Sequence, residues 1–313
     1  MRADPAPLTV SSFVHSWHAD PLAAVAIVLV LSAFAWCSRR ARDRGRPVER
    51  ARLWCVAIGT MLWLLSTMSA IGSYAQILFW VRALQVVTLL YVVPLFLALA
   101  RPVTVVQDAL GPEGRRRVDR LLNAPFTRIL AHPATTSLAM LGTPWLLYLT
   151  PWYTAGLEHE WIAALTRIAL VCIGFGYFYA RLQADPVPRR YPQLLSLLIT
   201  VGEAIGDGIL GLVIWQGPLI APTYYAALHR TWGPDLRLDQ TIGAGVLWVL
   251  GDVVGVPFVL LLMRALSRDE KSHAMSVDAE LDKSEAPEGD SAPASGLWWE
   301  NDPELSRRFR REK

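Results

Sequence analysis

Seven apolar stretches of helix-spanning length alternate along the chain with short connecting segments, most of which carry arginine. They run over residues 21–37, 53–71, 77–100, 135–153, 161–180, 194–215 and 241–263. A helix crosses the hydrocarbon core of a bilayer with about 20 mainly apolar residues. The longest interruption, 101–133, leaves no room for a soluble domain of useful size. The pattern therefore predicts an all-α, polytopic membrane protein, a seven-transmembrane-helix bundle over residues 21–266 behind a short segment, 1–20. The first stretch is read as a span, not as a cleaved leader. A single Arg2 precedes it, and arginines rather than a small-residue cleavage site follow it.

Charge placement sets the expected orientation. With seven spans, alternate loops fall on opposite sides. One side collects 25 Lys and Arg residues, from 38–52, 101–133, 181–192 and the tail from Arg264. The other side holds only Arg2, Arg230 and Arg237. Basic residues stay on the cytoplasmic face, which predicts the N-terminus outside and the C-terminus in the cytoplasm of a bacterial plasma membrane. Trp152, Trp161 and Trp232 at the outer ends, and Trp36 and Trp54 at the inner ends, fit interfacial belts.

Composition narrows the classes further. Hydrophobic residues make up 53% of the chain and charged residues 18%, against about 25% charged in a soluble domain. A net charge of +3 gives no case for nucleic acid, so the bilayer is the expected partner. Three cysteines, Cys37, Cys55 and Cys172, leave no disulfide framework and read as small apolar side chains. The only lysines are Lys271, Lys283 and Lys313, all in the tail, which excludes a retinal Schiff base inside the bundle.

Outside the spans, Gly111-Pro112 followed by Arg115, Arg116, Arg117 and Arg120 predicts a short helix on the cytoplasmic membrane surface. Residues 267–296 are rich in Ser, Ala, Pro, Asp and Glu and are expected to form a disordered linker. A short tail helix is predicted over 297–313. That segment contains Trp298-Trp299, and Asp302-Pro303 gives a cap-then-proline helix start.

Charges inside hydrocarbon are costly and mark candidate sites. Five occur here: Arg82, Arg167, Glu203, Asp207 and Asp252. Arg82 and Arg167 fall about 8–9 Å below the outer ends of their spans. Glu203 and Asp207, at i,i+4, share a helix face. The set predicts one polar cluster opening toward the outer leaflet. It serves either as an ion-pair network that fixes helix packing or as a ligand, ion or proton site. Gly202 and Gly206 form a small-residue face suited to close helix approach. Histidines lie only outside the spans. His15, His18, His159 and His229 are the candidates for an outer copper or zinc site.

Several segments resemble the CtaG family of bacterial cytochrome c oxidase assembly factors. Tyr91-Val92-Val93-Pro94-Leu95-Phe96 with Arg101-Pro102-Val103-Thr104 is similar to the family's proline-containing third helix and the turn after it. Tyr148-Leu149-Thr150-Pro151-Trp152-Tyr153 and Asp185-Pro186-Val187-Pro188-Arg189-Arg190 resemble two further motifs. Asp239-Gln240-Thr241-Ile242-Gly243, with Trp248 and Gly251-Asp252, resembles the motif at the mouth of the last span. The resemblance covers roughly 80–264. It implies a non-enzymatic factor whose partners are cytochrome c oxidase subunits, with copper as a possible cofactor and copper insertion into subunit I as a possible task. Family members typically carry histidines in spans 3, 5 and 6, suggestive of a copper site. Here Arg82 and Val86, Arg167 and Ala169, and Asp207 stand at those places. A small transporter or proton-coupled carrier using the charged cluster is the alternative.

Overall fold

The computed structural model describes residues 7, 16–187 and 193–285. Every regular element among them is helical. Helix α1 is Pro21–Asp43 and α2 is Arg50–Met68, followed by a short α3, Ala70–Tyr74. Helix α4, Phe79–Val87, passes through a π-helical turn, Thr88–Val92, into α5, Val93–Leu99. Helices α6, Pro102–Leu122, and α7, Pro125–Leu130, form the basic connection to α8, Pro133–Leu149. Short α9, Trp152–Glu158, leads into α10, Glu160–Leu182, and then come α11, Gln193–Gln216, and α12, Pro222–Ala227. Helix α13, Leu236–Gly245, runs through a second π-helical turn, Val246–Leu250, into α14, Gly251–Glu285.

Among the described residues, six helical stretches are long and apolar enough to cross a membrane. The expected span 135–153 is divided. Its helix α8 has 17 residues and stops at Thr150-Pro151, after which α9 starts afresh. Large apolar side chains, among them Val28, Leu138, Leu198, Ile205 and Val253, are exposed around the bundle. A water-facing surface rarely carries so much apolar area, and a lipid-facing one does.

Membership of the core follows from sequence position. The α4–α5 stretch lies at the centre, with Leu89, Leu90 and Val93 fully buried. Helix α10 packs along α5, the first π-helical turn and α8, while α13 packs on α4 and α11. Pro94 has no N–H to offer the carbonyl four residues back, so the helix loosens just before it into the π-helical turn. Helix α6 is two helices meeting at Gly111, whose φ of 73° lies in the left-handed region that only glycine adopts cheaply.

Two expectations change here. Gly202 has no atom against it, so it does not form the close-packed face. That face is Gly208 and Gly211, which receive the Trp248 indole, while Gly206 sits against Leu141. In addition, α14 continues to Glu285 through residues expected to be irregular from 267 onward. Neither glycine nor proline interrupts 269–285, and the first proline beyond is Pro287. The compact unit that holds the bundle ends at Leu266. Residues 286–313, with the expected tail helix, lie outside the described residues.

Candidate functional site

The five intramembrane charges do not gather into one cluster. They fall into three groups, each closed on different neighbours.

Arg167 anchors the first group, at the end of the bundle opposite the arginine-rich loops. Asp20 caps the start of α1 by accepting the Ala23 N–H at 3.0 Å. Its other oxygen accepts Arg167 Nε at 2.7 Å. Glu160 lies seven residues, two turns, before Arg167 and accepts its Nη2 at 2.8 Å. Gln76 donates to the same carboxylate at 2.9 Å. One guanidinium thus ties the entry of α1 to α10, with Asp20 and Arg167 both buried. His18 stands beside this pair, with Nδ1 3.2 Å from the Ser73 hydroxyl. Burial pushes the His18 imidazole below its usual pKa, and the Arg167 charge adds to the shift.

Arg82 belongs to the second group. Its guanidinium lies over the Tyr153 ring, 4.8 Å from the centroid. Tyr153 shares a 2.7 Å hydrogen bond with Tyr225 and packs on Tyr148 and Phe79. Gly156 leaves the room the guanidinium fills, since a Cβ there would come within 2.7 Å of Nη2. Among the described residues no carboxylate pairs with Arg82, so the Tyr153 face meets its charge.

The third group lies toward the arginine-rich end and includes a residue that the sequence pattern assigns to a loop. Arg181, on the last turn of α10, is fully buried. It donates to Glu203 at 3.0 Å, to the Ser196 carbonyl at 2.8 Å and to the Ser137 hydroxyl. Tyr177 donates its hydroxyl to the other Glu203 oxygen at 2.5 Å. Glu203 therefore pairs toward the inner end, not toward the outer leaflet. The available signal was simple: a lone carboxylate in an apolar helix needs a cation, and Arg181 is the arginine that closes span 5.

A cavity of about 250 Å³ opens beside this group between α8, α10, α11 and α14. Glu203, Asp207, Asp252, Tyr91 and Tyr177 give its polar wall, and Met140, Phe178 and Phe258 are among its apolar residues. Tyr91 donates to Asp207 at 2.8 Å. Asp252 makes no ion pair among the described residues. Both π-helical turns feed this cavity: the first carries Tyr91, and the second delivers Gly251 and Asp252. Such turns often mark functional positions in helices.

The motif at the start of α13 has a structural use. Asp239 accepts the N–H groups of Phe79 at 3.2 Å and Trp80 at 3.0 Å, and pairs with Arg230 at 3.3 Å. It caps α4 from 160 residues away, where Leu78 offers no side-chain cap. Gln240 accepts the Ile220 N–H at 2.8 Å and donates to the Ile214 carbonyl at 2.7 Å, which closes the end of α11. Gly243 lets α13 lie against Phe79. Asp185 repeats the device by accepting the Val103 and Thr104 N–H groups at the start of α6. Replacing Asp239 by alanine is expected to cost about 1–2 kcal/mol through loss of a buried cap. Asparagine should recover part of it, as read by the thermal midpoint of the purified protein.

The described residues do not suit copper. Among the described residues no three His, Cys, Asp or Glu side chains gather as metal ligands. His15 lies outside the described residues. His18 is engaged with Ser73, exposed His159 stacks on Trp161, and exposed His229 sits in a left-handed turn with φ 48°.

Comparison with known proteins gives the frame for this geometry. Uncharacterised proteins of Mycobacterium bovis and Mycobacterium tuberculosis are each 24% identical over 290 residues, covering 89% of this chain and 43% of their own length. One of Mycobacterium leprae is 25% identical over 295 residues, covering 90% of this chain and 44% of its own. The chain thus spans less than half the length of these curated relatives. No solved structure matches it. The cytochrome c oxidase caa3 assembly factor family matches residues 32–269, the whole bundle from mid-α1 onward, and the chain belongs to that family.

Proposed function

We propose that this chain is a non-catalytic membrane scaffold in the maturation of cytochrome c oxidase. It would hold an oxidase subunit in the bacterial plasma membrane during assembly, including the stage at which copper enters subunit I. One observation carries the scaffold reading over metal delivery. Arg82 and Arg167, at positions where the family resemblance puts histidines, are committed to the protein's own groups, Arg82 to the Tyr153 ring and Arg167 to Asp20 and Glu160. These groups fix helix packing, as the bundle requires if it is to present a constant surface to a client. Asp207 and Asp252 then remain at the cavity wall as acceptors.

The topology we propose has seven crossings, the N-terminus outside and the C-terminus inside. Helix α8, with 17 residues, is about 25 Å long. That is close to the hydrocarbon thickness, and α9 continues toward the surface. The arginine asymmetry gives the orientation.

The test is a reduced-minus-oxidised haem spectrum of membranes from a deletion strain, with and without added copper. A scaffold role predicts loss of the oxidase band that copper does not restore. Restoration by copper would move the chain to copper delivery, and an unchanged band would overturn the oxidase reading.

A further inference from the structure

Helices α1 and α6 lie side by side and leave two adjoining cavities. The first, about 430 Å³, is lined by Arg44, Arg46, Arg115, Gln107, Asp108 and Gly111. Arg46 pairs with Asp108 at 2.8 Å. Arg44 and Arg115 have no carboxylate partner among the described residues. The Arg44 guanidinium reaches the cavity wall through the space that Gly111 leaves open. A Cβ there would stand 2.2 Å from Nη1. Gln107 is 2% exposed. Its amide nitrogen donates to Asp119 at 2.7 Å, while its Oε1 has no partner. The walls thus offer three cations against one carboxylate, together with a spare acceptor. Walls of this kind suit an anion that also carries a hydroxyl.

The second cavity, about 340 Å³, has no charged residue in its lining. Phe34, Cys37, Val105, Val106 and Cys172 form part of its wall. It opens sideways, where Ala33 and Cys172 are exposed. Val106 lines this groove and Gln107 lines the basic cavity, so the two meet within one residue of α6. Along α1, Cys37 and Arg44 are seven residues apart, about 10 Å of helix. Basic pockets between membrane helices on the cytoplasmic side suit anionic headgroups, and an apolar groove beside one suits an acyl chain.

We propose that α1 and α6 bind one anionic phospholipid, with its phosphate among Arg44, Arg46 and Arg115 and an acyl chain in the groove lined by Phe34, Val106 and Cys172. A glycerol headgroup would give its hydroxyl to Gln107 Oε1. A free phosphate could use only the basic half. The site does not depend on the oxidase reading and can be tested without it.

The experiment uses the purified full chain in neutral detergent, titrated with phosphatidylglycerol and followed by native mass spectrometry and by the thermal midpoint. The expected result is retained phosphatidylglycerol with a raised midpoint, and neither effect from phosphatidylcholine or inorganic phosphate. Arg44→Gln and Arg115→Gln should each weaken binding about fivefold. Arg128→Gln, at another basic surface position, should leave it unchanged. Both arginines lie at the surface, and Arg115→Gln alone serves if Arg44→Gln does not fold. Cys172→Phe points its added bulk into the groove rather than the core. It should weaken long-chain phosphatidylglycerol and spare a short-chain form. Protection by inorganic phosphate equal to that by lipid would overturn the proposal. So would parental affinity in the arginine variants.

Discussion

Arg181→Ala is expected to be the most damaging single side-chain truncation in the bundle, costing about 3–5 kcal/mol, as losses of one member of a buried ion pair do. The arginine is fully enclosed and serves Glu203, the Ser196 carbonyl and the Ser137 hydroxyl at once. Without it the Glu203 carboxylate keeps only the Tyr177 hydroxyl. In detergent the thermal midpoint should fall by roughly 10 °C, since each kcal/mol shifts a domain of this size by a few degrees. Lysine should not rescue, because a compact ammonium cannot reach three acceptors in the planar geometry of a guanidinium. Adding Glu203→Gln to Arg181→Ala should recover part of the loss by removing the stranded charge. Equal midpoints for the parent and Arg181→Ala would show that the pair carries no net stability. A double variant no better than the single one would show that the cost lies in packing instead.

That pair also marks the limit of what the chain pattern displays. The apolar runs are legible because a bilayer demands them locally, residue by residue. Arg82, Arg167 and Glu203 could be picked out as costly charges by position alone, and all three are buried. Their partners could not, since pairing is a tertiary fact. Arg181 sits on the last turn of its helix and reads as a loop cation until Glu203 is brought against it. The same holds for Asp239, whose backbone partners at Phe79 and Trp80 lie about half the chain away. Its motif was visible, yet its capping role was not. The division of the fourth apolar run at Thr150-Pro151 had a local signal, the proline, which hydropathy averaged over a window conceals. Residues 269–285 show the opposite failure. Their polarity suggested an irregular segment, but the absence of helix breakers allows α14 to continue.

Gly174→Ala is the second large effect expected, and its cause lies in the backbone. A Cβ at this position would stand 2.0 Å from the Leu90 carbonyl oxygen and 2.6 Å from Pro94 Cγ. Leu90 is the residue whose carbonyl Pro94 cannot satisfy, so helix α10 presses a bare glycine against the loosened turn of the central helix. Neither contact is the free end of a flexible side chain, and the helices must therefore separate. Overpacking typically costs about 1–3 kcal/mol and occasionally more. Here the upper end is expected, because α10 also carries Arg167, Tyr177 and Arg181. Moving it lengthens the Asp20 and Glu203 pairs together. Gly176, two positions along the same helix, has no neighbour within 4 Å of an added Cβ. Alanine there should be neutral or stabilising by up to about 1 kcal/mol through helix propensity. Thermal midpoints of the two variants measured side by side decide the matter. A large loss confined to Gly174→Ala supports the close approach of α10 to the π-helical turn. Equal behaviour of the two variants would mean that the helices pack less tightly there, and that the ion pairs at either end, not the glycine contact, set the position of α10.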